Sequence, residues 1–458
     1  MTPIFKKGSR LKAENYRPIS LTSVVTKILE RVINDTILEH LKVNNILSPN
    51  QHGFQPGKSV ETNLLETYDI ITDLLDKGLP VDLVLLDFAK AFDKVPHKRL
   101  REKLTAAQLH PNLVDWLMDF LSGRTQRVRL FGAGGEKVFS EPCDVISGVP
   151  QGTVLGPTLF NIYINDIFSE VENKLSLYAD DSKLFGAVNV KSLQTDVQKI
   201  QLWADKWLLS FNISKCSTLH FGSSNPCAQY HMHEHASNSD SPIKTSTEER
   251  DLGVIVDSLL KFHANTIKSV SQANTNLGLI KRTVTSRSPL VFLKLYKALV
   301  RPVLDFGMCA AFPTYKGDVR LIEGVQRRAT KAITNLGDKP YQDRLRALNL
   351  PTLVYRRNRS DMMMTRKLLN SSYAKILPIH PGPPQCTRGH SKKLFKQSVR
   401  TRARKSFFTN RVVNPWNELC EATVSAPTPE AFKKALDKEW ATKDWKYEWD
   451  IPSCSYLL

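Results

Sequence analysis

No run of about 18 apolar residues occurs in the 458-residue chain, so no transmembrane helix is expected. Met1 to Arg10 holds Lys6, Lys7 and Arg10 with no apolar stretch behind them, so no secretory signal is expected either. The seven cysteines, at 143, 216, 227, 309, 386, 420 and 454, are odd in number, far apart and never in CxxC form. With that pattern neither a disulfide framework nor a zinc knuckle is expected, and a reducing compartment is the default. No internal repeat is visible. Acids are the scarcer charge: 45 Asp and Glu against 64 Lys and Arg leave +19. The pI is near 9.5 and the mean hydropathy −0.28. Such an excess favours a polyanionic partner, because each neutralised phosphate releases condensed counterions. No amphipathic anchor with a strong basic face stands out, so nucleic acid is expected rather than a membrane surface.

With 41% hydrophobic and 24% charged residues the balance is that of an ordinary globular protein, and the length predicts two to four domains. Apolar residues recur at helical spacing from Asn15 to about Lys42 (Val24, Ile28, Leu29, Val32, Ile33, Ile37, Leu38, Leu41), which predicts an amphipathic helix. A second helix is expected over Ser59 to Lys77, with Ser59 as N-cap. Leu79-Pro80 breaks the chain, and the aliphatic run Val81 to Leu86 reads as a buried strand ending at Asp87. Helices follow near 97–107 and 111–122, then a hairpin around Gly132–Gly135. After Ser147-Gly148-Val149-Pro150-Gln151-Gly152 an apolar helix is expected to about Phe168. Strands at Lys174–Ala179 and Lys183–Val188 then place Asp180-Asp181 at a hairpin turn. A helix at Ser192–Leu209 and a strand at Ser217–Gly222 come next. Residues 223–248, polar and rich in Ser and Asn, read as an irregular surface loop before a strand at Leu252–Val256. From there helical patterns dominate, at 263–282, 289–304, 317–335 and 352–370. A linker is marked by Pro378, Pro381, Pro383 and Pro384. Thr387 to Arg411 holds nine Lys or Arg and no acid, so nothing in that run offsets its charge. A short helix is expected at 428–441.

Carboxylates at strand ends are costly to bury unless they meet a cation. Mg²⁺ takes one or two of them and completes its shell with phosphates and water. Asp87 and the pair Asp180-Asp181 are therefore candidates for a metal site. Any one acid at a strand end is more often a cap or a surface residue, so the set and its order decide. Asp87-Phe88-Ala89-Lys90-Ala91-Phe92-Asp93, Ser147 to Gly152 and Tyr178-Ala179-Asp180-Asp181 resemble motifs A, B and C of reverse transcriptases, in the form found in LINE-type (non-LTR, jockey-like) retrotransposons. Pro3 to Gly8 with Asn15 to Leu21 resembles the fingers. Gln51-His52-Gly53-Phe54 with Gly57-Lys58-Ser59 resembles the next block, Lys58 standing where the family more often has Arg. Trp207 to Cys216 resembles motif D and Asp251 to Val254 motif E. Leu295 to Pro302 and Val325 to Ala329 resemble the thumb, and Arg388 to Ser391 with Val413 to Asn417 the tail.

The resemblance implies an α+β, right-hand polymerase: fingers at 1–80, a mixed α/β palm with an antiparallel sheet at 81–258, a helical thumb at 259–375, and a linker with a helical basic tail at 376–458. It implies RNA-directed DNA synthesis by two-metal nucleotidyl transfer, with two Mg²⁺ ions (Mn²⁺ as substitute), an RNA template, a DNA primer or target and dNTPs. Asp87 and Asp180 would hold the metals, joined by Asp181, whose plainer role is a turn-stabilising acid. Phe92 would be the steric gate against ribose, or simply core packing. Gln151 and Gly152 would shape the nucleotide pocket. Arg17, with Lys6 or Lys7, would grip the triphosphate, though surface lysines are commonly just solvated. Lys215 would serve the leaving pyrophosphate, or be an exposed salt-bridging lysine. In the basic run, Lys392, Lys393, Arg400, Arg402, Arg404 and Lys405, interleaved with Phe395, Phe407 and Phe408, suit a single-stranded or RNA partner, or form a solvated face. His231, His233 and His235 are read as part of a mobile loop rather than a zinc site. Relatives carry an endonuclease ahead of the polymerase, whereas here the finger motif begins at Pro3. Truncated fingers and a separately supplied endonuclease are therefore expected, with residence in nucleus and cytoplasm. Two alternatives stay open: a catalytically inactive remnant that only binds nucleic acid and, less well matched by thumb and tail, a maturase-type intron protein.

Overall fold

In the computed structural model, residues 1–6, 8–132, 134–234, 238–371 and 389–450 are described. Lys7, His235 and the proline-rich linker fall outside them. The chain divides into two compact units, one of residues 1–63, 82–218 and 226–246, the other of residues 64–81, 219–225 and 247–458. No helix among the described residues is long and apolar enough to cross a membrane.

A five-stranded sheet, most of its residues in the first unit, has the order Lys244–Ser246, Ser217–Phe221, Val81–Leu86, Asp181–Ala187, Lys174–Tyr178. Val81–Leu86 is central, which is why its sequence is aliphatic on both faces. Its one acid, Asp82, is buried and accepts from the Tyr230 hydroxyl at 2.6 Å. Helix Leu155–Ile164 is buried on every side, as its all-round apolar sequence requires. It shares one core with helices His97–Ala106, Pro111–Leu121 and Val190–Lys206.

Two expectations in this unit are corrected. The helix expected from Asn15 begins at Val24, after a hairpin pairing Thr2–Phe5 with Tyr16–Ile19. Pro18 biases Arg17 away from helical backbone, and Ser23 supplies the N-cap to Thr26 N–H at 3.0 Å. Only the later part of its apolar stripe faces the core: Val24, Val25, Ile28, Leu29 and Val32 are exposed, while Ile37 and Leu41 are buried together with Glu30 and Asn34. Glu30 accepts from the N–H groups of Val154 (2.7 Å) and Leu155 (3.1 Å), capping the buried helix. Asn34 accepts from Thr158 Oγ1 at 2.6 Å. Residues 223–248 are likewise not an irregular loop. His231–Glu234 pairs with Ser239–Pro242, and Lys244–Ser246 joins the main sheet. Alternating Tyr230 and Met232 are buried there, an inward face that the many polar residues mask.

The second unit is mostly helical, with the hairpin Glu248–Asp251/Val254–Asp257 opening its longest segment. Helices His263–Thr283, Lys316–Lys331, Tyr341–Ala347 and Leu353–Leu369 enclose a separate core. The helix expected at 289–304 contains a π turn at Tyr296–Val300. Pro302 follows it, and lacking an N–H it cannot continue the ordinary ladder. The basic run becomes short helices at Arg402–Ser406 and Phe408–Arg411. Arg404 does not face solvent as expected: it is 1% exposed and bonds Asp69 Oδ1 at 2.5 Å, Asp69 O at 3.0 Å and Thr72 Oγ1 at 3.1 Å. Phe407 and Phe408 are also buried, so neither can stack on a base. Arg411 forms a buried fork with Asp361, Nε–Oδ2 2.9 Å and Nη2–Oδ1 2.8 Å. The tail motifs lock together: Trp416 Nε1 donates to Lys392 O at 2.8 Å, and the Asn417 side chain bonds both Leu394 N and O, each at 2.8 Å.

Candidate active site

Asp87 follows the last residue of the central strand, and Asp180 sits in the two-residue turn between the neighbouring antiparallel strands, where Tyr178 lies opposite Asp181. The topology thus brings two acids 93 positions apart in the sequence to one end of one sheet. Asp180 is partly buried and Asp181 exposed. Burial first, and then the charge of Asp87, push the Asp180 carboxyl above the ordinary carboxylate range, with Arg17 and Lys6 opposing the rise. A partly buried carboxylate pushed up by a neighbouring carboxylate marks a site for positive charge.

Three cations answer it. Lys215 Nζ lies 3.0 Å from Asp87 Oδ2, with about half of its side chain exposed. Lys6 and Arg17 come from the N-terminal hairpin, where Phe5 pairs with Tyr16 and Ile4 with Arg17. The Lys6 ammonium is lowered by burial, then by Arg17 and Lys215, while Asp180 and Asp93 pull it up. The segment bearing Lys215 is laid along the first motif: Asn212 N–H donates to Asp87 O and Ala89 N–H to Ser210 O, both at 2.7 Å. Phe88 and Phe211 stack beside them with centroids 4.2 Å apart.

The glutamine-glycine loop closes against the same strand end. Gly148 N–H donates to Val95 O and Val149 N–H to Phe92 O, each at 2.8 Å. Gln151 Nε2 donates to Asp93 Oδ1 at 2.9 Å, which orients the side-chain amide, and the Gln151 backbone carbonyl accepts from Ser20 N–H at 2.8 Å. Gly152 has φ +101°, and a Cβ there would meet Ser20 O at 2.8 Å, so only glycine fits. Phe92 is half-buried and stacks on Phe160 at 4.3 Å, so it is anchored in the core whatever else it does.

Asp87, Asp180, Lys6, Arg17, Lys215, Phe92, Gln151 and Gly152 therefore belong to the first unit and are tied to this sheet end by contacts or charge. Lys392, Arg400, Arg402 and Lys405 are exposed and Lys393 half-buried, all in the second unit. Sequence reasoning assigned no role to Asp93 or Gln51. Asp93 lies inside the first motif and Gln51 inside a recognised block, but their partners, 58 and 128 positions away, leave no local signal. Among the described residues no three His, Cys, Asp or Glu side chains form a metal-ligand cluster. Two carboxylate donors next to each other still fit Mg²⁺, whose remaining ligands are phosphates and water.

The family model for reverse transcriptase (RNA-dependent DNA polymerase) matches residues 4–266. The RNA-directed DNA polymerase from mobile element jockey of Drosophila funebris is 29% identical over 71% of this chain and 36% of its own length. The probable RNA-directed DNA polymerase from transposon BS of Drosophila melanogaster is 26% identical over 74% of this chain and 38% of its own. The chain thus spans a little over a third of these relatives. Among solved structures, apo telomerase from Candida tropicalis is 12% identical, with a TM-score of 0.38, over 77% of this chain and 60% of that one, a likeness too low to argue from. With the three motifs at one sheet end and the match covering more than half of its length, the chain belongs to the reverse transcriptase family.

Proposed function

We propose that the chain is the polymerase of a jockey-like non-LTR retrotransposon, adding dNTPs to a DNA primer along an RNA template. The observation that carries this reading is the meeting of Asp87 and Asp180 at one sheet end, with Lys215 at 3.0 Å and the charges of Lys6 and Arg17 directed at them. In this reading residues 1–80 act as fingers, 81–258 as palm, 259–375 as thumb and 376–458 as tail. Asp87 and Asp180 would hold two Mg²⁺ ions, or Mn²⁺ in their place, with Asp181 assisting from the exposed side of the turn. When bound, the ions activate the primer 3′-hydroxyl and offset charge on the leaving pyrophosphate.

The chain's own groups do the rest. Arg17, Lys6 and the neighbouring Lys7, which lies outside the described residues, grip the triphosphate; a guanidinium matches paired phosphate oxygens. Lys215, paired with Asp87, gives a proton to the departing pyrophosphate oxygen. Phe92, held by Phe160, crowds a ribose 2′-hydroxyl, and Gln151, oriented by Asp93, lines the nucleotide pocket with Gly152. Lys392, Lys393, Arg400, Arg402 and Lys405 bind RNA phosphates. Such an enzyme works on chromosomal DNA in the nucleus after synthesis in the cytoplasm.

The test is primer extension on poly(rA)/oligo(dT) with Mg²⁺ and dTTP, beside Asp180→Asn. Extension that disappears in the variant supports the polymerase and its metal site. If neither protein extends and both bind primer–template with steep salt dependence, the chain is a nucleic-acid-binding remnant. Extension surviving Asp180→Asn refutes the metal assignment.

A further inference from the structure

The turn that carries Asp180 is built in an unfavourable backbone conformation. Ala179 has φ +56°, in the left-handed region that an L side chain rarely adopts and glycine usually fills. The two-residue hairpin closed by Tyr178 opposite Asp181 calls for this sign of φ, and an alanine, without glycine's freedom, adopts it at a cost that outside contacts can offset.

Gln51 supplies the hold. Its side chain is 1% exposed, and it grips the Ala179 residue at both backbone polar groups. Oε1 accepts from Ala179 N–H at 2.9 Å and from Gly53 N–H at 2.8 Å. Nε2 donates to Ala179 O at 3.3 Å. Two N–H groups on one oxygen also settle which way the amide points. The backbone around Gln51 runs beside the strand before the turn, with His52 N–H donating to Leu177 O at 2.8 Å and Leu177 N–H to Asn50 O at 3.0 Å.

The brace is itself anchored. A Cβ on Gly53 would stand 2.3 Å from Ala179 N, so glycine is required for the two segments to approach. Asn161, on the fully buried helix, donates to Gly53 O at 2.7 Å. Lys58 Nζ donates to Pro49 O at 2.6 Å and Gln51 O at 2.7 Å. A continuous set of bonds therefore runs from the core helix through Gly53 and Gln51 to the peptide next to Asp180.

We infer that Gln51 is a positioning residue for the Asp180 carboxylate: by clamping Ala179 in the left-handed conformation, it sets the carboxylate geometry presented to the divalent cation. The inference rests on the polymerase reading for the identity of the cation and not for the clamp. Without the clamp, the Ala179 peptide relaxes toward ordinary turn geometry and the carboxylate leaves its set direction. Nucleotide and primer–template contacts, which Gln51 does not touch, remain.

The experiment compares wild type with Gln51→Met, which keeps the side-chain length and loses all three hydrogen bonds. Amide exchange is read by mass spectrometry on peptides spanning residues 174–187, and Mn²⁺ binding by electron paramagnetic resonance. Exchange at Ala179 and the half-saturating Mn²⁺ should each rise by about tenfold, the worth of one lost buried hydrogen bond. Exchange elsewhere in the sheet should hold, and in primer extension the KM for dTTP should stay within about twofold. Wild-type exchange at Ala179 with unchanged Mn²⁺ binding in a well-folded Gln51→Met protein would overturn the inference. A uniform rise across the whole sheet would overturn it too, because Gln51 would then be only structural. Should Gln51→Met not fold, Asn161→Ala, which loosens the same brace at Gly53, is expected to raise both readouts by about threefold, and no rise counts against the clamp. A wild type that fails to extend primers while Gln51→Met shows both effects would sink the polymerase reading and leave the clamp standing.

Discussion

Replacing Arg404 by methionine should unfold the second unit more easily without weakening nucleic-acid binding. The guanidinium is 1% exposed and its partner Asp69 3% exposed, so both ends of the pair are out of water. Methionine fills most of the volume but removes the bonds to Asp69 Oδ1, Asp69 O and Thr72 Oγ1. Asp69 is left with Thr409 Oγ1 at 2.6 Å as its remaining strong partner. Each charge-assisted bond lost is worth about 1.5–3 kcal/mol. A buried carboxylate deprived of its counter-charge brings the total to about 3–5 kcal/mol. Burial already pushes the Asp69 carboxyl upward against the pull of Arg404. Part of the loss is therefore recovered by protonation, and the lower end of the range is expected at acid pH. Urea unfolding followed by circular dichroism at pH 7 reads the change. Adding Asp69→Asn to Arg404→Met should recover part of it, since a neutral amide is cheaper to bury than a carboxylate. Filter binding to single-stranded RNA across a salt series reads the other half. The exposed Arg402 and Lys405, changed to Gln one at a time, should each lower the salt slope by about 0.7–1 and leave stability unchanged. If Arg404→Met keeps wild-type stability while flattening the salt slope, the burial argument is wrong and Arg404 is a phosphate contact after all.

Glu30→Ala should cost about 1–2 kcal/mol in the first unit, because the N–H groups of Val154 and Leu155 lose their cap; thermal unfolding measures it. Asp93→Ala should free the Gln151 amide and raise the KM for dTTP by about fivefold with a smaller change in kcat, read in steady-state extension. Asp76 accepts from Arg400 N–H, Thr401 N–H and Thr401 Oγ1, which together hold its carboxyl below the ordinary range despite some burial. Its contribution is therefore present above the unfolded carboxylate pKa and lost as pH falls through the lower folded value. The stability advantage of wild type over Asp76→Ala should accordingly shrink progressively below about pH 4, as unfolding curves at pH 7, 5 and 3 would show.

Much of the first unit was legible because its signals are local. Val81–Leu86 is aliphatic enough for a central strand, Ser59 does bond Thr62 N–H at the start of its helix at 3.2 Å, and the acids of the third motif do fall at a hairpin turn. The errors have a common cause. Helical periodicity says that a stripe exists and not which stripe faces inward; on Val24–Val43 the polar Glu30 and Asn34 won that place through partners more than a hundred positions away. The basic run reads as surface on charge alone, yet Arg404 finds Asp69 some 335 positions upstream.

The sequence by itself determined the family, the order of the three motifs and the acids they carry, since each motif is a short contiguous pattern whose chemistry shows in its residue types. Only the tertiary structure decided that Asp87 and Asp180 share one sheet end with Lys215, that Gln151 is oriented by Asp93, and that Gln51 holds Ala179 in its left-handed conformation. Those are contacts between distant segments, fixed by packing and hydrogen-bond satisfaction in the folded chain, and no local pattern encodes them.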